Sequence, residues 1–468
     1  MERPQRLHFV GIGGIGMSAI AQVMLEEGRS VTGSDLKGSG VTQRLAARGA
    51  TIFEGHEPSH VGDAQLVVRS SAVPDDNPEV EEARRRGIPV VKRAAFLGQL
   101  MDEKRTIAVA GTHGKSTTSS LIGIMLLKAG LDPTLLIGAD PLDLKTNARL
   151  GRGPFLVAEA DEFDGSLREF RPWMALVTNI EPEHLDYYGT YQALLDTFQA
   201  FIRSVPEGGH VILCGDDPGA LKIMGERAIT YGLGPASDWR AVDPKPNACG
   251  GYDFGVTCRG RSIGTFSTQL PGLHNVSNAL AAIASGNLIG LSTEKMAGAL
   301  ASFKGVARRF QTKGLAGGVT IVDDYAHHPT EIKATLKAAR ERFGGKRLVC
   351  LFQPHTYSRT KLLLEEFAEA FGEADKVLIA DIYAAREVNT YGITSSDLAA
   401  ALKHADARSV GSLKEACSYL VDNLRYGDVL LTVGAGDVDT VGDWLLGNLA
   451  GRMRDASHPA GGDDDVAD

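Results

Sequence analysis

Residues 108–118 read Ala-Val-Ala-Gly-Thr-His-Gly-Lys-Ser-Thr-Thr, and this stretch decides how the chain is interpreted. The mostly apolar run Thr106 to Ala110 predicts a strand, and Ser116 onward predicts a helix whose N-terminus favours negative charge. Glycines in the turn let backbone N–H groups point inward, where a lysine reaches a terminal phosphate and a serine ligands magnesium. The predicted ATP contacts are Gly111, Thr112, His113, Gly114, Lys115, Ser116 and Thr117.

This loop is shorter than the usual phosphate-binding loop, because the position six residues before Lys115 is Val109 rather than glycine. A glycine-rich turn that binds nothing is the alternative. A Gly-Lys-Ser triplet between a strand and a Thr-rich helix start argues against that alternative.

Length and charge limit the class of protein. A chain of 468 residues is too long for one core and predicts two to four domains. Hydrophobic residues at 43% and charged residues at 23% are typical of an ordinary globular protein. The net charge of -9 gives no indication of a nucleic-acid surface, so we expect no nucleic-acid partner.

The cysteines and the hydropathy pattern predict a cytoplasmic protein. The five cysteines form no CxxC pair and have no histidine at zinc-finger spacing, which predicts buried, reduced thiols. No apolar run approaches the roughly 18 residues that a membrane span needs, so we expect no membrane partner.

Short apolar runs alternate with helical patterns, which predicts an α/β protein with parallel sheets. The predicted strands are Leu7–Val10, Ser30–Gly33, Leu66–Arg69, Ile107–Ala110, Phe155–Glu159, Ala175–Thr178, Val211–Cys214, Thr320–Asp323, Leu348–Phe352, Val377–Ala380 and Val429–Val433. Between Gly250 and Leu270 the pattern alternates polar and apolar residues, which predicts a small antiparallel meander.

Three domains fit this pattern: residues 1–100, 101–305 and 306–450. The first boundary follows an apolar run and a helix at the charged residues 102–105, and the second lies near the Gly-containing turn at 303–307. We expect a Rossmann-like N-terminal domain, a central P-loop ATPase-like domain and a C-terminal Rossmann-like α/β domain. The acidic residues 451–468 are predicted to be disordered.

A second glycine turn, Gly11-x-Gly13-x-x-Gly16, follows the first predicted strand and opens a helix, with Asp35 about twenty residues further on. Alone, this pattern is a dinucleotide fingerprint and indicates an NAD site as readily as another nucleotide site. The separate phosphate-binding loop favours another nucleotide, because a redox enzyme needs no second triphosphate site.

Carboxylates gather at the end of a further predicted strand, where Glu159 is followed by Asp161, Glu162 and Asp164. Such a group indicates either a metal site or simple solvation, and we favour the metal. His184 follows the next strand; a lone histidine is more often structural.

Several of these segments, in their order and spread, resemble the Mur ligases, the ATP-dependent amide-forming enzymes of bacterial cell-wall precursor synthesis. The segments that carry the resemblance are residues 11–17, 108–118, 159–162, 178–184, 273–278, 308–310, 323–330 and 353–360. The likeness is greatest to the family member that joins L-alanine to UDP-N-acetylmuramate.

The resemblance implies roles for residues of the first two domains. The implied UDP-sugar contacts are Gly13, Gly14, Ile15, Gly16, Asp35, Ser70 and Ser71, and the implied magnesium ligands are Ser116, Glu159 and His184. Lys115, Glu159 and His184 are implied to be catalytic. The resemblance also places His274 and Asn275, with Asn278, at the adenine of ATP, whereas helix capping is the alternative for the two asparagines.

Roles are also implied in the third domain. Arg309 and Asp324 are implied to be catalytic, and Tyr325, His327, His355 and Arg359 are implied to bind L-alanine. His327 and His328 could be a metal pair, but adjacent side chains of an extended segment point to different sides, so we favour hydrogen-bonding roles. Relatives have arginine where this chain has Thr356, so we assign Thr356 no role. The lysine that several family members carbamylate is absent, because Gln199 stands there.

The sequence therefore predicts a ligase that uses ATP and Mg²⁺ to join L-alanine to the lactyl carboxylate of UDP-N-acetylmuramate through an acyl phosphate. The third domain is expected to close over the nucleotide and exclude water. Three alternatives stay open: a ligase that adds a whole tripeptide to the same sugar nucleotide, an NAD-dependent oxidoreductase, and a nucleotide-binding regulatory protein. We expect a monomer or a weak homodimer.

Overall fold

The computed structural model describes residues 4–456 and contains three β-sheets. Its contacts divide the chain into two compact units. The second unit runs from Ala307 onward and includes two short segments, Ala248–Gly251 and Leu270–Leu273; the first contains the other residues up to Val306. The limits of the three domains stay predictions. The α/β class with parallel sheets is confirmed.

The first sheet is parallel throughout and has the strand order β3-β2-β1-β4-β5. Its strands are β1 (Arg6–Val10), β2 (Ser30–Asp35), β3 (Thr51–Glu54), β4 (Leu66–Arg69) and β5 (Val90–Lys92). Its helices are α1 (Ile15–Glu26), α2 (Gly40–Ala47), α3 (Pro78–Arg85) and α4 (Arg93–Met101), with a 3₁₀ helix at Pro58–Val61. The strand order reverses between β1 and β4, and ligands of such sheets bind in the crevice at that point.

The second sheet has ten strands in the order β15-β14-β13-β12-β11-β10-β6-β9-β7-β8. Its strands are β6 (Arg105–Ala110), β7 (Thr134–Leu136), β8 (Ala148–Arg149), β9 (Phe155–Glu159), β10 (Met174–Val177), β11 (His210–Cys214), β12 (Ala228–Gly232), β13 (Trp239–Pro246), β14 (Tyr252–Cys258) and β15 (Arg261–Thr268). Its helices are α5 (Lys115–Lys128), α6 (Leu185–Tyr188), α7 (Tyr191–Arg203), α8 (Pro218–Lys222), α9 (Leu273–Ile289) and α10 (Thr293–Ala301), with a 3₁₀ segment at Phe163–Glu169. The antiparallel pattern predicted between Gly250 and Leu270 is confirmed by β14 and β15, and β13, which precedes that range, pairs antiparallel with β14.

Helix α1 connects the first two sheets. The Gln22 side chain donates a hydrogen bond to the Ala148 carbonyl oxygen at 2.6 Å, and the Asn147 amide donates to the Ile15 carbonyl oxygen at 3.2 Å. Apolar residues of both sheets also belong to one continuous core. The helix that follows the first glycine turn is therefore fixed against the sheet that carries the phosphate-binding loop.

The third sheet has the order β16-β17-β21-β18-β19-β20, in which only the edge strand β16 is antiparallel to its neighbour. Its strands are β16 (Gln311–Ala316), β17 (Val319–Asp324), β18 (Leu348–Phe352), β19 (Lys376–Ala380), β20 (Ala407–Gly411) and β21 (Val429–Val433). Its helices are α11 (Pro329–Phe343), α12 (Tyr357–Leu362), α13 (Leu364–Ala368), α14 (Ser395–Ala401), α15 (Leu413–Asn423) and α16 (Asp439–Ala456). Separate apolar cores cover the two faces, as the continuous apolar strands require.

One sequence prediction needs correction. All five cysteines are free thiols, but Cys249 is exposed and Cys258 is half-buried, whereas all five were predicted to be buried. Helix α16 extends to Ala456, and residues 457–468 lie outside the described residues, so the disorder expected for 451–468 stays a prediction. Among the described residues, no helix has both the length and the apolar character needed to cross a membrane.

Candidate active site

The phosphate-binding loop requires glycine at two positions. Gly111 has φ 131°, and a Cβ there would lie 2.1 Å from the Thr178 hydroxyl oxygen. Gly114 has φ 81°, and a Cβ there would lie 2.7 Å from Oδ1 of Asn278. Both positions combine positive φ with a close neighbour, so a side chain at either one would distort the loop.

The segment after β10 holds this loop from the side. Asn179 accepts hydrogen bonds from two loop N–H groups: its carbonyl oxygen bonds Thr112 at 3.0 Å and its side-chain oxygen bonds His113 at 2.8 Å. The Thr178 hydroxyl donates to the His113 carbonyl oxygen at 2.6 Å. The loop therefore keeps its shape through contacts within the protein, which is what preorganised phosphate binding needs.

Lys115 begins helix α5 and turns back over its own loop. Its ammonium group donates to the carbonyl oxygens of Gly111 and Thr112 and forms an ion pair with Glu162 at 2.8 Å. Burial alone would lower the pKa of Lys115, but the carboxylates of Glu162, Asp161 and Glu159 raise it above the usual value. Lys115 is therefore charged and held over the loop at neutral pH.

A cluster that could hold a cation lies beside Lys115. Asp161, Glu162 and His184 each offer a ligand atom, and these atoms lie within 4.8 Å of one another. Burial tends to raise the pKa of Asp161, but the positive charges of Lys115 and Arg93 bring it below its ordinary value. Two carboxylates are ligands that Mg²⁺ accepts, so the chemistry of this donor set fits magnesium.

Glu159, which the sequence assigned to the metal, makes another contact. Its carboxylate accepts a hydrogen bond from the Gly138 N–H at 2.9 Å. Ser116 is buried at the start of α5, and so is Thr117. Of the three predicted ligands, only His184 belongs to the three-residue cluster described above, so the structure favours Asp161 and Glu162 as additional ligands.

The asparagines near the loop are not helix caps. Helix α9 begins at Leu273, so both Asn275 and Asn278 lie within it, and the capping alternative is wrong. Asn278 donates to Asn275 at 3.1 Å and accepts from the Thr118 hydroxyl at 3.2 Å, while the Asn275 amide lies 3.1 Å from Nε2 of His274. The three residues predicted at adenine are therefore linked to one another and, through Asn278, to the loop.

The first glycine turn lies where β1 and β4 end. The Asp35 carboxylate accepts hydrogen bonds from the N–H groups of Gly13 and Leu36, each at 2.8 Å. Gly14 caps helix α1 without a side-chain hydrogen bond, and the first helical turn has no acidic residue. Such a helix start favours an anion, and Asp35 supports the turn in addition to its predicted contact with a hydroxyl group or base.

The remaining predicted contacts surround this turn. A Cβ on Gly11 would lie 3.0 Å from the Cβ of Ser70, so Ser70 lies directly against the turn. Ser71 is partly exposed, and Ile15 is 53% exposed. A large apolar side chain exposed at a helix start is available to a ligand.

In the second unit, Asp324 lies at the end of β17 and holds two backbone groups. Its carboxylate accepts from the N–H of Phe310 at 2.7 Å and from that of Ala326 at 2.8 Å. Burial raises the pKa of Asp324 to about 6, against the opposing effect of Arg309. Arg309 also lies 5.2 Å from the ring centre of Tyr325.

The four residues predicted to bind an amino acid come together in this unit. Tyr325 contacts His327 with ring centres 5.5 Å apart, and His327 contacts His355 at 6.0 Å. The guanidinium group of Arg359 donates to the His355 carbonyl oxygen at 2.8 Å. Their mutual contacts form a connected polar and aromatic group.

Each of the adjacent histidines makes a hydrogen bond, as their predicted roles require, while the choice against a metal stays a prediction. Nδ1 of His327 lies 3.0 Å from the Tyr325 carbonyl oxygen, and His328 caps helix α11 through the N–H of Thr330 at 3.4 Å.

Sequence reasoning missed two residues beside this group. Tyr383 stacks on His355 with ring centres 5.5 Å apart at 12°. Glu387 accepts from the Thr356 hydroxyl at 2.6 Å and from the Ser358 N–H at 2.9 Å, at the start of the helix that carries Arg359. Both belong to the irregular segment after β19, which has no periodic pattern to identify them. Thr356 thus has a structural contact where the sequence suggested no role.

Three family models match the chain in succession. The Mur ligase family catalytic domain matches residues 6–105, the Mur ligase middle domain matches 109–286, and the glutamate ligase domain of Mur ligases matches 308–436.

Relatives match almost the whole chain. A protein of Anaeromyxobacter sp. (strain Fw109-5) named UDP-N-acetylmuramate–L-alanine ligase is 48% identical over 454 residues, which is 96% of this chain and 98% of the relative. A protein of Geobacter sp. (strain M21) with the same name is 48% identical over 94% of this chain and 97% of its own length.

Solved structures are similar as well. UDP-N-acetylmuramate-alanine ligase MurC of Thermotoga maritima matches with a TM-score of 0.81 and 29% identity, over 97% of this chain and 100% of the other. A murein peptide ligase of Psychrobacter arcticus matches with a TM-score of 0.72 and 26% identity, over 95% and 99%.

Proposed function

We propose, since this chain belongs to the Mur ligase family, that it is an ATP-dependent ligase joining L-alanine to the lactyl carboxylate of UDP-N-acetylmuramate. The observation that carries this proposal is the name shared by relatives 48% identical over at least 94% of the chain. The product is a precursor of peptidoglycan.

The reaction needs ATP because a carboxylate is a poor electrophile. An oxygen of the lactyl carboxylate attacks the γ-phosphorus, ADP leaves, and an acyl phosphate forms. The amine of L-alanine then attacks the acyl carbon, the amide forms, a proton is lost from nitrogen, and phosphate leaves. Such chemistry depends on positioning and charge neutralisation more than on a protein nucleophile.

Lys115 supplies the fixed positive charge for this reaction. Its ammonium group lies over the loop whose N–H groups would surround the phosphates, and its neighbours keep it charged. A preorganised charge of this kind stabilises the transferring phosphoryl group without rearranging at the moment of reaction.

Magnesium would be held by Asp161, Glu162 and His184, together with the predicted ligands Ser116 and Glu159. When bound, it supplies charge neutralisation at the phosphate oxygens. Lys115 pairs with Glu162, so in this proposal the lysine and the magnesium ion would share one carboxylate.

The two other substrates have separate sites in the proposal. The first glycine turn, with Asp35, Ser70 and Ser71, takes the UDP group. In the second unit, Arg359 pairs with the α-carboxylate of L-alanine, because a guanidinium fork matches both carboxylate oxygens. Tyr325, His327 and His355 limit the room for the side chain, and Arg309 and Asp324 retain their predicted catalytic roles.

The cellular setting is part of the proposal too. A cytoplasmic location suits an enzyme that draws on ATP and on sugar nucleotides. The monomer or weak homodimer stays a prediction.

One assay tests the proposed function. Phosphate release from ATP is measured with UDP-N-acetylmuramate and either L-alanine or the tripeptide L-alanyl-γ-D-glutamyl-meso-diaminopimelate, while NADH absorbance is followed in parallel. We expect release with L-alanine and little with the tripeptide. Preference for the tripeptide would indicate the recycling ligase, a change in NADH absorbance would indicate an oxidoreductase, and no turnover would favour a binding protein.

A further inference from the structure

Arg93 occupies a position that no motif identified. It is the first residue of helix α4, which leads directly into β6 and the phosphate-binding loop. Helix α4 also lies near the 3₁₀ segment Phe163–Glu169, where Gly98 allows the Glu169 carbonyl oxygen to approach closely. Arg93 therefore lies in the first unit, where the first sheet is followed by the second.

The guanidinium group of Arg93 rests on the first glycine turn. A Cβ built on Gly16 would lie 3.0 Å from Nη1 of Arg93 and 3.3 Å from its Cδ. Any larger residue at position 16 would push the arginine away. Because residue 16 is glycine, the guanidinium group of Arg93 has room beside the first N–H groups of helix α1.

The charge of Arg93 is not neutralised by a direct contact. Among the side chains that the structure describes, which leave out Asp186 and residues 449–456, none forms a hydrogen bond or an ion pair with its guanidinium group. Arg29, Arg69 and Arg308, which are also at least partly buried, each form such pairs. An arginine held without a partner against an anion-binding turn is a candidate for contact with an anionic ligand.

Arg93 also links the first turn to the second sheet. Its guanidinium group lies against Gly16 of the turn proposed for the UDP group, and its helix α4 leads into β6 and the ATP loop.

We propose that Arg93 binds an anionic oxygen of the sugar nucleotide, on either its pyrophosphate or its lactyl carboxylate. This proposal rests on the proposed function and adds a residue to it. Arg93 gives the first turn the cation that its own sequence lacks. By holding the anion near the boundary of the two sheets, it also orients the acceptor towards the ATP loop.

The test compares Arg93→Met with Lys92→Met. Methionine keeps the aliphatic contact with Gly16 and removes the charge, and Lys92 is an exposed cation one residue away. Calorimetry gives the dissociation constants of three ligands: UDP-N-acetylmuramate, UDP-N-acetylglucosamine, which has no lactyl group, and ATP. A charged hydrogen bond of about 1.5–3 kcal/mol corresponds to roughly a 10- to 100-fold change in affinity.

We expect Arg93→Met to weaken UDP-N-acetylmuramate binding by about 10-fold or more, while ATP binding and the Lys92→Met variant stay near wild type. An equal loss for UDP-N-acetylglucosamine would place the contact at the pyrophosphate. A loss confined to UDP-N-acetylmuramate would place it at the carboxylate.

Unchanged affinity for both uridine nucleotides would overturn the proposal, and so would parallel losses for all three ligands. Arg93→Lys, which keeps the charge without the fork, serves if the methionine variant does not fold, and we expect it to show a smaller loss of the same selectivity. A wild-type chain that binds ATP but neither uridine nucleotide would instead overturn the proposed function, and this inference with it.

Discussion

Two strand–glycine turn–helix segments, at residues 10–26 and 110–128, differ in the source of their charge. The first turn contains no cation, is supported by the Asp35 carboxylate and has the guanidinium of Arg93 against Gly16. The second turn carries Lys115 within it, paired with Glu162. The cation therefore comes from a separate helix at the first turn and from the turn itself at the second.

The origin of the cation suits the two turns to different tasks, phosphoryl transfer in one case and ligand binding in the other. A lysine within the turn stays at a fixed distance from the phosphates that the turn holds, which suits a group whose charge changes during reaction. A cation on another helix can hold an anion that does not react. We therefore expect phosphoryl transfer at the second turn and attachment of the sugar nucleotide at the first.

The largest effect is expected at the second turn. Lys115→Met should lower turnover by about two orders of magnitude or more, because it removes the fixed charge at the transferring phosphoryl group. Lys128→Met, at the other end of the same helix, is the control and should be near wild type. The measurement is phosphate release with saturating substrates. Near-normal release by Lys115→Met would mean that this turn is not the catalytic nucleotide site.

The cluster beside Lys115 should show the next largest effect. His184→Ala and Glu162→Gln should each raise the magnesium concentration needed for half-maximal activity by about 10-fold or more, since each removes a proposed ligand. Glu159→Gln, in the same titration, tests whether Glu159 is a magnesium ligand, as the sequence predicts. Curves that superimpose on wild type for all three variants would remove these residues from the metal site.

The proposed site for L-alanine contains no glycine turn. The effect of a substitution there on L-alanine can therefore be measured separately from its effects on ATP and on the sugar nucleotide. Arg359→Ala should raise the KM for L-alanine by roughly 10-fold or more through loss of a charge-assisted pair. The values for ATP and the sugar nucleotide should change little. Lys361→Ala, an exposed cation of the same helix, is the control. Equal increases for all three substrates would show that Arg359 supports the fold or closure instead.

The smallest effect is expected at Glu79, which supports the first turn indirectly. Its buried carboxylate accepts from the Ser34 hydroxyl, and the Ser34 carbonyl oxygen accepts from the N–H groups of Gly11 and Ile12. Burial opposes the charge on Glu79, but hydrogen bonds from His8, Ser34 and His60 lower its pKa to about 2. We expect Glu79→Gln to raise the KM for the sugar nucleotide by only a few-fold.

The pH dependence of this variant has a defined sign. Because the folded-state pKa of Glu79 lies below its usual 4.5, its ionised form stabilises the fold above about pH 4.5, and this contribution is lost as the pH falls towards 2. Hydrogen exchange of β1 and β2 should therefore be faster in the variant at pH 7, with the difference shrinking in acid. Glu81→Gln, exposed on the same helix, is the control. A difference that grows in acid would contradict this account.

The two turns could be predicted from sequence because their signals are local. Each has an apolar strand, glycines at fixed spacing and a helix start within about fifteen residues. Strands β7, β8 and β12 were not predicted, since their pairing depends on segments distant in the chain and not on local periodicity.

The choice among carboxylates could not be made from sequence. Glu159 ends a strand and Glu162 follows three residues later, just before a segment in which Asp164 has φ 53°. The irregular backbone determines that Glu162, and not Glu159, forms the ion pair with Lys115. The contact between Arg93 and Gly16 could not be predicted for a related reason. It depends on how two helices pack, and the spacing of residues along the chain does not indicate that packing.

The central claim is that the second turn transfers phosphate from ATP to a carboxylate before the amide forms. The most direct test uses UDP-N-acetylmuramate labelled with ¹⁸O in both oxygens of the lactyl carboxylate, with ATP, magnesium and L-alanine, and analyses the released phosphate by mass spectrometry. The account predicts one ¹⁸O in the phosphate for each amide formed, because the carboxylate oxygen stays with phosphorus when the amine displaces it. Phosphate without ¹⁸O, released together with amide, would contradict the transfer of phosphate to the carboxylate and thus an acyl phosphate intermediate.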